Sequence, residues 1–441
     1  MNNTPEQPFR FRTHTLQQFK KNKPAVISLY VLIVLFFIAV LAPLLANERP
    51  WYMKYQDENY FPAFSFKKNY AVKYSDGTIE KIQLDITEWK KIQAEKIIWA
   101  PITYSPGRSD YSNTNYVCPS CEQKFSDSND RITAMPTRFR HWLGTGNRGD
   151  DLMAGLIHGT RISLTIGFLS MGIATLIGIF LGAFAGFFGD DTLTTTRGRI
   201  GFTIIGLLFG WFYGFGLRTE AIQEGAGNVG NGLLLQLLIS SLIFLTVVVF
   251  FSWIGKFIGQ LPWLNKKIKI HVDGLISRLI EIMVSLPLFM LILTIAAISR
   301  PSLVNLMVII GLTNWTGIAR LTRAEMLRVR RQEFIQSAEA LGYNRLRIIL
   351  RHALPNAIAP ALISVSFGIA NAILIESALS FIGLGVPTDI TTWGSLLSSG
   401  HGDFDAWWLV VFPGLCIFIT VTTYNLIGEG LRDALDPKMK K

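Results

Sequence analysis

The stretch AVISLYVLIVLFFIAVLAPLLA, residues 25–46, carries no charge at all. An α-helix rises about 1.5 Å per residue, so about 20 apolar residues reach across a hydrocarbon core about 30 Å thick. Lys20, Lys21 and Lys23 precede the run, with Arg10 and Arg12 further upstream. It is longer than the apolar core of a signal peptide, and Leu44 breaks a small-residue cleavage pattern. The stretch therefore predicts an uncleaved membrane anchor with the N-terminus inside, and it sets the fold class as integral membrane.

Working outward, further charge-poor runs fall at about 162–188, 200–217, 233–255, 279–299, 302–319, 357–382 and 408–427, which predicts eight spans with the first. An even number returns the C-terminus to the side of the N-terminus. Lys and Arg test that arrangement, because they accumulate in short inside loops. Segments assigned inside hold Arg197 and Arg199, then Lys266, Lys267, Lys269 and Arg278, then eight arginines from Arg320 to Arg351, then Arg432, Lys438, Lys440 and Lys441. Of the short outside segments, 219–232 holds Glu220 and Glu224, and 383–407 holds Asp389, Asp403 and Asp405 with no Lys or Arg. Of the 441 residues 50% are hydrophobic and only 17% charged, below the roughly 25% of soluble domains. The formal charge of +11 follows the inside loops, so it is topological and no nucleic-acid partner is implied.

The predicted organisation is an inside N-terminal segment 1–24, a first span 25–46, an outside insertion 47–160 and a second span 161–190. A transmembrane hairpin 191–271 follows, then a helical core 272–430 with an inside loop 320–355, and an inside tail 431–441. The insertion reads as a small mixed domain. Asp76-Gly77 between two alternating runs signals a hairpin, and TEWKKIQAEK (87–96) reads as a short helix. Cys118 and Cys121 are too few for a zinc site of four ligands, even with His141, and outside the membrane a local disulfide is the favoured reading.

The inside loop RRQEFIQSAEALGYNRLRIILRHALPNAIAPALI (330–363) is the most informative stretch. Phe334, Ala338 and Leu341 share one helical face, Leu346, Ile349 and Leu350 another, and Gly342 lies between them as a turn residue. Pro355 stands where the next span opens, a position that tolerates a missing N–H. From the residues alone the loop is either a partner-docking element or a pair of basic amphipathic helices lying on anionic lipid. Elsewhere, the sole Gly-Lys pair, Gly255-Lys256, lacks the P-loop pattern, so no ATP site is encoded. No pattern of a hydrolase or other catalytic site stands out, which disfavours an enzyme.

Charges inside spans are functional candidates by default. Glu376, with Asn371 on the same run, either lines a passage or serves packing as a carboxylate held by a neighbouring helix or a partner chain. Glu281 and Arg161 read as interfacial anchors, and Pro287 and Pro360 as kink sites.

The loop resembles the EAA loop of ABC importer permeases, with Gln336-Ser337-Ala338, Gly342 and Leu354-Pro355 at the corresponding positions. FKKNKPAVISLYVLIVLF (19–36), HWLGTGNRGDDLMAGLIHGTRISL (141–164), ESALSFIGLGVP (376–387), TTWGSLL (391–397), WWLVVFPGL (407–415) and NLIGEGLRDALDP (425–437) resemble, in order, the C-type permease of dipeptide and oligopeptide importers. NYFPAF (59–64) and WAPITYSP (99–106) resemble a subgroup related to microcin C-type peptide importers. Gln336 stands where the family usually has Glu, and Asp150 where it has Arg.

The resemblance implies an all-α polytopic bundle of the type I ABC importer permease kind, with the hairpin added to a six-span plan. It implies a bacterial inner-membrane location and both termini in the cytoplasm. Its partners would be a second homologous permease, two cytoplasmic ATPases that bind ATP and Mg, and an extracytoplasmic substrate-binding protein. Phe334, Gln336, Ser337, Ala338, Leu341, Gly342, Arg345, Leu354 and Pro355 would form the ATPase-coupling loop, and the cargo would be peptides or peptide-like solutes. This chain would itself bind no cofactor. The rival readings are an ion-coupled secondary transporter, which would need coordinating groups at midplane, and a membrane sensor or binding protein using the outer domain.

Overall fold

The computed structural model describes residues 17–435 except 56, 66–68, 74–78, 84–87, 93, 127–130, 191–193, 223–231, 262, 300 and 404. The Asp76-Gly77 turn, Arg10, Arg12, Glu224, Lys438, Lys440 and Lys441 lie outside the described residues. Seven described helices are long and apolar enough to cross a membrane, or eight if one bent pair is counted as a span. The chain divides into two units, residues 1–183 with 280–441, and residues 184–279.

In the larger unit, α1 (Lys23–Leu45) starts where Asn22 caps it, its side-chain oxygen accepting from Ala25 N at 3.2 Å. The strands that follow form a small antiparallel sheet. β1 (Tyr52–Tyr55) lies between β2 (Glu58–Tyr60) and β5 (Lys96–Ile98), while β3 (Asn69–Lys73) and β4 (Ile79–Gln83) pair as a separate hairpin, Lys73 opposite Ile79. β6 (Lys124–Ser126) and β7 (Ile132–Ala134) form another hairpin. The expected helix at 87–96 is not formed. A single 3-10 turn, Trp89–Lys91, gives way to β5, whose Ile97 pairs with Met53. Tertiary packing decides this: Trp89 is buried with Met53, Tyr60 and Trp99, and that placement needs extended chain on its C-terminal side.

α2 (Leu152–Phe188) is 37 residues long, about 55 Å, well beyond the hydrocarbon core. It starts some ten residues before the apolar run, because Asp151 accepts from Ala154 N at 2.7 Å and caps the helix there. The first turns precede the apolar run, and there His158 donates through Nε2 to Ala46 O at 2.9 Å and ties α2 to the end of α1.

The predicted fifth span is broken. α5 (Val272–Ser285) and α6 (Leu288–Ile298) meet at 81° across Leu286-Pro287. Proline lacks the N–H and blocks helical conformation in the residue before it, which accounts for the break. α7 (Leu303–Arg330) then packs closely on α2; a Cβ at Gly182 would come within 2.4 Å of Ala319 O. After the loop 331–357, α11 (Ala359–Phe381), the short α12 (Trp393–Ser399) and α13 (Trp408–Leu435) complete the unit. Pro360 falls in the first turn of α11, so it starts that helix without kinking it.

Contacts fix the two ends of this unit. Asn22 Nδ2 donates to Asp433 at 3.1 Å, so the start of α1 and the end of α13 share a side. At the opposite end, the indoles of Trp393 and Trp408 donate to Leu156 O and Thr145 O, at 3.2 and 3.1 Å. The sheet domain lies at that end, and the 331–357 loop at the other.

In the smaller unit, α3 (Arg197–Trp211) and α4 (Gly232–Ile258) form a tight hairpin. A Cβ at Gly206 would sit 2.7 Å from Phe251 Cβ, and one at Gly255 would sit 2.8 Å from Phe202 Cβ. Small residues let the backbones approach where lipid gives no hydrophobic drive between helices. β8 (Thr194–Thr196) and β9 (Lys267–Lys269) pair at the base of the hairpin.

Candidate functional site

The loop between α7 and α11 folds as two short helices, α8 (Glu333–Ala340) and α9 (Arg345–Ile348), followed by a widened turn 349–353 and α10 (Leu354–Ala357). Gly342 joins the first two. Its φ is +75°, Tyr343 N donates to Ala338 O at 3.2 Å, and Gly342 N donates to Glu339 O at 2.9 Å. These two bonds make a Schellman cap, whose left-handed residue is glycine by steric need. Asn344 then caps α9 by accepting from Leu346 N at 3.1 Å.

The loop has one anchored and one open side. Ile335, Ala338, Ile348 and Ile349 are buried against the unit. Leu341 is 72% exposed, and Phe334, Tyr343, Leu346 and Leu350 are also exposed. Gln336, Ser337, Arg345 and Pro355 lie at the surface, with Leu354 half-buried. The missed residues are Ile335 and Ile348, which hold the helices in place, and Tyr343, which adds an aromatic ring to the open face. The helical period around Phe334 does not reveal which apolar face the bundle takes.

Glu376 and Asn371 both lie on α11, but the structure does not bring them together. Glu376 is fully buried (0% exposed) and receives hydrogen bonds from the hydroxyls of Ser380 at 2.8 Å, Ser163 at 3.5 Å and Ser377 at 3.5 Å, and from Thr392. This arrangement joins α11 to α2 and to the cap of α12, and it favours the packing reading of Glu376. Asn371 is exposed, and its Nδ2 donates to Asn314 Oδ1 on α7 at 3.4 Å. Asn314, Ser163 and Thr392 escaped notice because isolated hydroxyls and amides in apolar runs carry no spacing signal.

The sheet domain holds a cluster that spacing does not reveal. His141 is buried, with Nδ1 2.8 Å from Asp151 Oδ2 and Nε2 3.1 Å from Asp110 Oδ2. An ionised carboxylate only accepts, so the doubly protonated imidazolium satisfies both contacts. Burial pulls the His141 pKa down, but hydrogen bonds to Asp110 and Asp151 outweigh it and raise the pKa above the ordinary value. Burial pushes Asp110 up, and hydrogen bonds from His141 and Asn113 prevail and hold it below the usual carboxylate range. Tyr104 stacks on the imidazole at 4.0 Å, and the Lys90 ammonium lies 3.1 Å over the other face of the same ring. His141 is thus committed to carboxylates, and Cys118 and Cys121 are joined in a disulfide.

The sequence of this chain is similar to transport permeases. Residues 263–441 match the family model described as binding-protein-dependent transport system inner membrane component, and residues 11–65 match the N-terminal transmembrane domain of oligopeptide transport permease C. The dipeptide transport system permease protein DppC of Alkalihalophilus pseudofirmus is 31% identical over 301 residues, covering 68% of this chain and 73% of that protein. The di/tripeptide transport system permease protein DppC of Pseudomonas aeruginosa is 30% identical over 302 residues, with the same coverage of 68% and 73%. The inner membrane ABC transporter permease protein YejE of Escherichia coli is 26% identical over 424 residues, 95% of each chain. The last alignment is long enough to extend through the sheet domain and the α3–α4 hairpin. Matching blocks at both ends of a helical bundle, and relatives that agree on one class, place this chain in the family of binding-protein-dependent transport system inner membrane components.

Proposed function

We propose that this chain is the permease subunit of an ATP-driven ABC importer carrying short peptides or peptide-like solutes into the cytoplasm of a bacterium. The relatives named as dipeptide and di/tripeptide permeases support the substrate class. The Lys and Arg of the short loops support an orientation with the 331–357 loop and both termini inside and the sheet domain outside.

The observation that carries the reading is the open face of that loop. Phe334 and Leu341 stand exposed beyond the apolar runs, and Arg331 and Arg345 lie in the same loop. An amphipathic helix with exposed apolar anchors is suited to a groove on another protein. A cytoplasmic ATPase subunit is the fitting partner, because this chain carries no P-loop. The buried side of the same helices, Ile335 and Ile348, would carry a shift of the docked helix into α7 and α11. One such loop serves one ATPase, so a second homologous permease and a second ATPase would complete the assembly, with an extracytoplasmic binding protein delivering cargo.

Co-purification tests this. The full chain, extracted in mild detergent, is expected to bring down nucleotide-binding subunits, and uptake by the assembly is expected to stop on ATP depletion. Isolation without such subunits, with uptake that survives ATP depletion but not collapse of the proton gradient, would instead establish an ion-coupled carrier.

A further inference from the structure

The sheet domain contains a cavity of about 290 Å³ with Trp89, Lys90, Tyr104, Arg108, Tyr111 and Phe125 among its lining residues. That volume is at the small end of the range for small-molecule sites. The charges around it are unequal in how well they are matched. Glu48 is paired with the Arg108 guanidinium, Glu88 with Lys91 at 2.8 Å, and Asp110 with His141 and Asn113. Lys90 is the exception. Its ammonium has only the faces of Tyr104 and, at 5.4 Å, Phe139, with no hydrogen bond or ion pair among the described residues.

We propose that this cavity binds a small solute through a carboxylate group, which pairs with the Lys90 ammonium while the apolar body of the solute lies against Trp89, Tyr111 and Phe125. The inference rests on the outside orientation of the domain proposed above and adds a second ligand-binding place, away from the membrane helices. The chemistry is that of an anion meeting a partly desolvated cation, an interaction stronger there than in open water. Aromatic walls favour a ligand with an aromatic or branched body over a bare ion.

Burial, aided by the nearby Arg108 guanidinium, also brings the Lys90 pKa down to about 7, against the pull of Asp110, Asp151 and Glu48. The unliganded fold therefore penalises the charge, and an incoming carboxylate would relieve the penalty by favouring the protonated amine. Binding should weaken as the pH rises past neutrality, since the neutral amine cannot form the ion pair.

Calorimetry on the full chain in lipid nanodiscs tests the site, with N-acetylphenylalanine, its carboxamide and inorganic phosphate as probes. The acid is expected to bind at least tenfold more tightly than the carboxamide, and more tightly than phosphate. Its affinity should fall about tenfold or more from pH 6 to pH 8.5, the change expected for a required group titrating near 7. Lys90→Met should remove the preference for the acid, and Lys90→Arg should retain it. Equal binding of acid and carboxamide, equal binding of phosphate, a flat pH profile in the unmodified chain, or no binding at millimolar concentration would each overturn the proposal. Peptide uptake by the intact assembly, measured alongside, separates the two readings. Uptake that persists without acid binding removes only this site, whereas uptake that fails under all conditions removes the importer reading.

Discussion

The two ends of the larger unit are built in opposite ways. The loop between α7 and α11 is contiguous, residues 331–357, and its shape follows from local rules: a left-handed Gly342, an Asn344 cap, and apolar residues at helical spacing. The outer cluster gathers Lys90, Tyr104, Asp110, His141 and Asp151 from five places in the chain. Asp110, His141 and Asp151 are charged, yet they pair with one another away from open water, while Lys90 lies over the Tyr104 ring. The loop leaves apolar residues in the open, while the cluster takes polar residues out of water. A surface that must meet a partner can be local, because the partner supplies the missing contacts. A charge cluster at the root of α2 needs the whole domain to assemble it, and Asp151 uses one oxygen for His141 and the other to cap that helix.

This contrast can be broken experimentally at either end. Gly342→Pro gives the largest functional effect, because proline is confined to φ near −65° and the cap requires +75°. Peptide uptake should fall by an order of magnitude or more while membrane insertion and assembly persist. Unchanged uptake would remove the loop from coupling. Gly342→Ala sharpens the point. No atom lies within 4 Å of an added Cβ, so only the backbone cost of about 1–2 kcal/mol remains and uptake should be partly kept.

At the outer end, His141→Ala leaves Asp110 and Asp151 facing each other without the intervening cation. Breaking a buried pair in this way costs about 3–5 kcal/mol, and should appear as rapid proteolysis between residues 47 and 151 with the helices intact. A proteolytic pattern like that of the unmodified chain would show that the cluster does not hold the domain. Because the loop lies at the far end of the unit, combining His141→Ala with Gly342→Ala should give additive losses.

Trp393→Phe keeps most of the packing volume and removes the indole hydrogen bond to Leu156 O. About 1 kcal/mol of stability should be lost, read as a modest fall in thermal midpoint in detergent. A drop as large as that of His141→Ala would mean that the outer end depends on this single bond.

The smallest effect is a change of pH slope. The folded pKa of His141 is raised, so its contribution is complete below about 6.5 and is lost as the pH climbs through the folded value. Lys90 has the opposite sign. Its pKa falls from 10.5 to about 7, so the folded domain binds fewer protons in that window and gains stability as the pH rises through it. Lys90→Met should abolish that gain, leaving only the decline due to His141. A rise between pH 7 and 10 that Lys90→Met leaves unchanged would show that Lys90 is not its source.

Much of the fold was legible because membrane spans are coded by composition. Charge-poor runs near 25–46, 357–382 and 408–427 lie within or close to α1, α11 and α13, and Gly342 marked the turn of the loop. The bend at Pro287 was legible as a site of weakness but not as an 81° break, because the angle depends on what packs around each half. The extension of α2 back to Leu152 was hidden in polar sequence, since its cap works through Asp151 while the apolar run begins ten residues later. The 3-10 turn at Trp89 reversed a local helical preference, because burying one indole in the sheet core outweighs a few tenths of a kcal/mol of propensity per residue.

By itself the sequence determined which segments are apolar enough to enter a membrane, the bias of basic residues among the loops between them, and the turn at Gly342. These follow from transfer free energies and from backbone sterics, which act on neighbouring residues. Only the tertiary structure decided that Glu376 is enclosed by hydroxyls, that Ile335 faces the bundle while Phe334 faces out, and that His141 stands between two carboxylates with Lys90 over the Tyr104 ring nearby. Those outcomes depend on distances between residues far apart in the chain, and burial and charge pairing acquire a value only once the fold has brought them together.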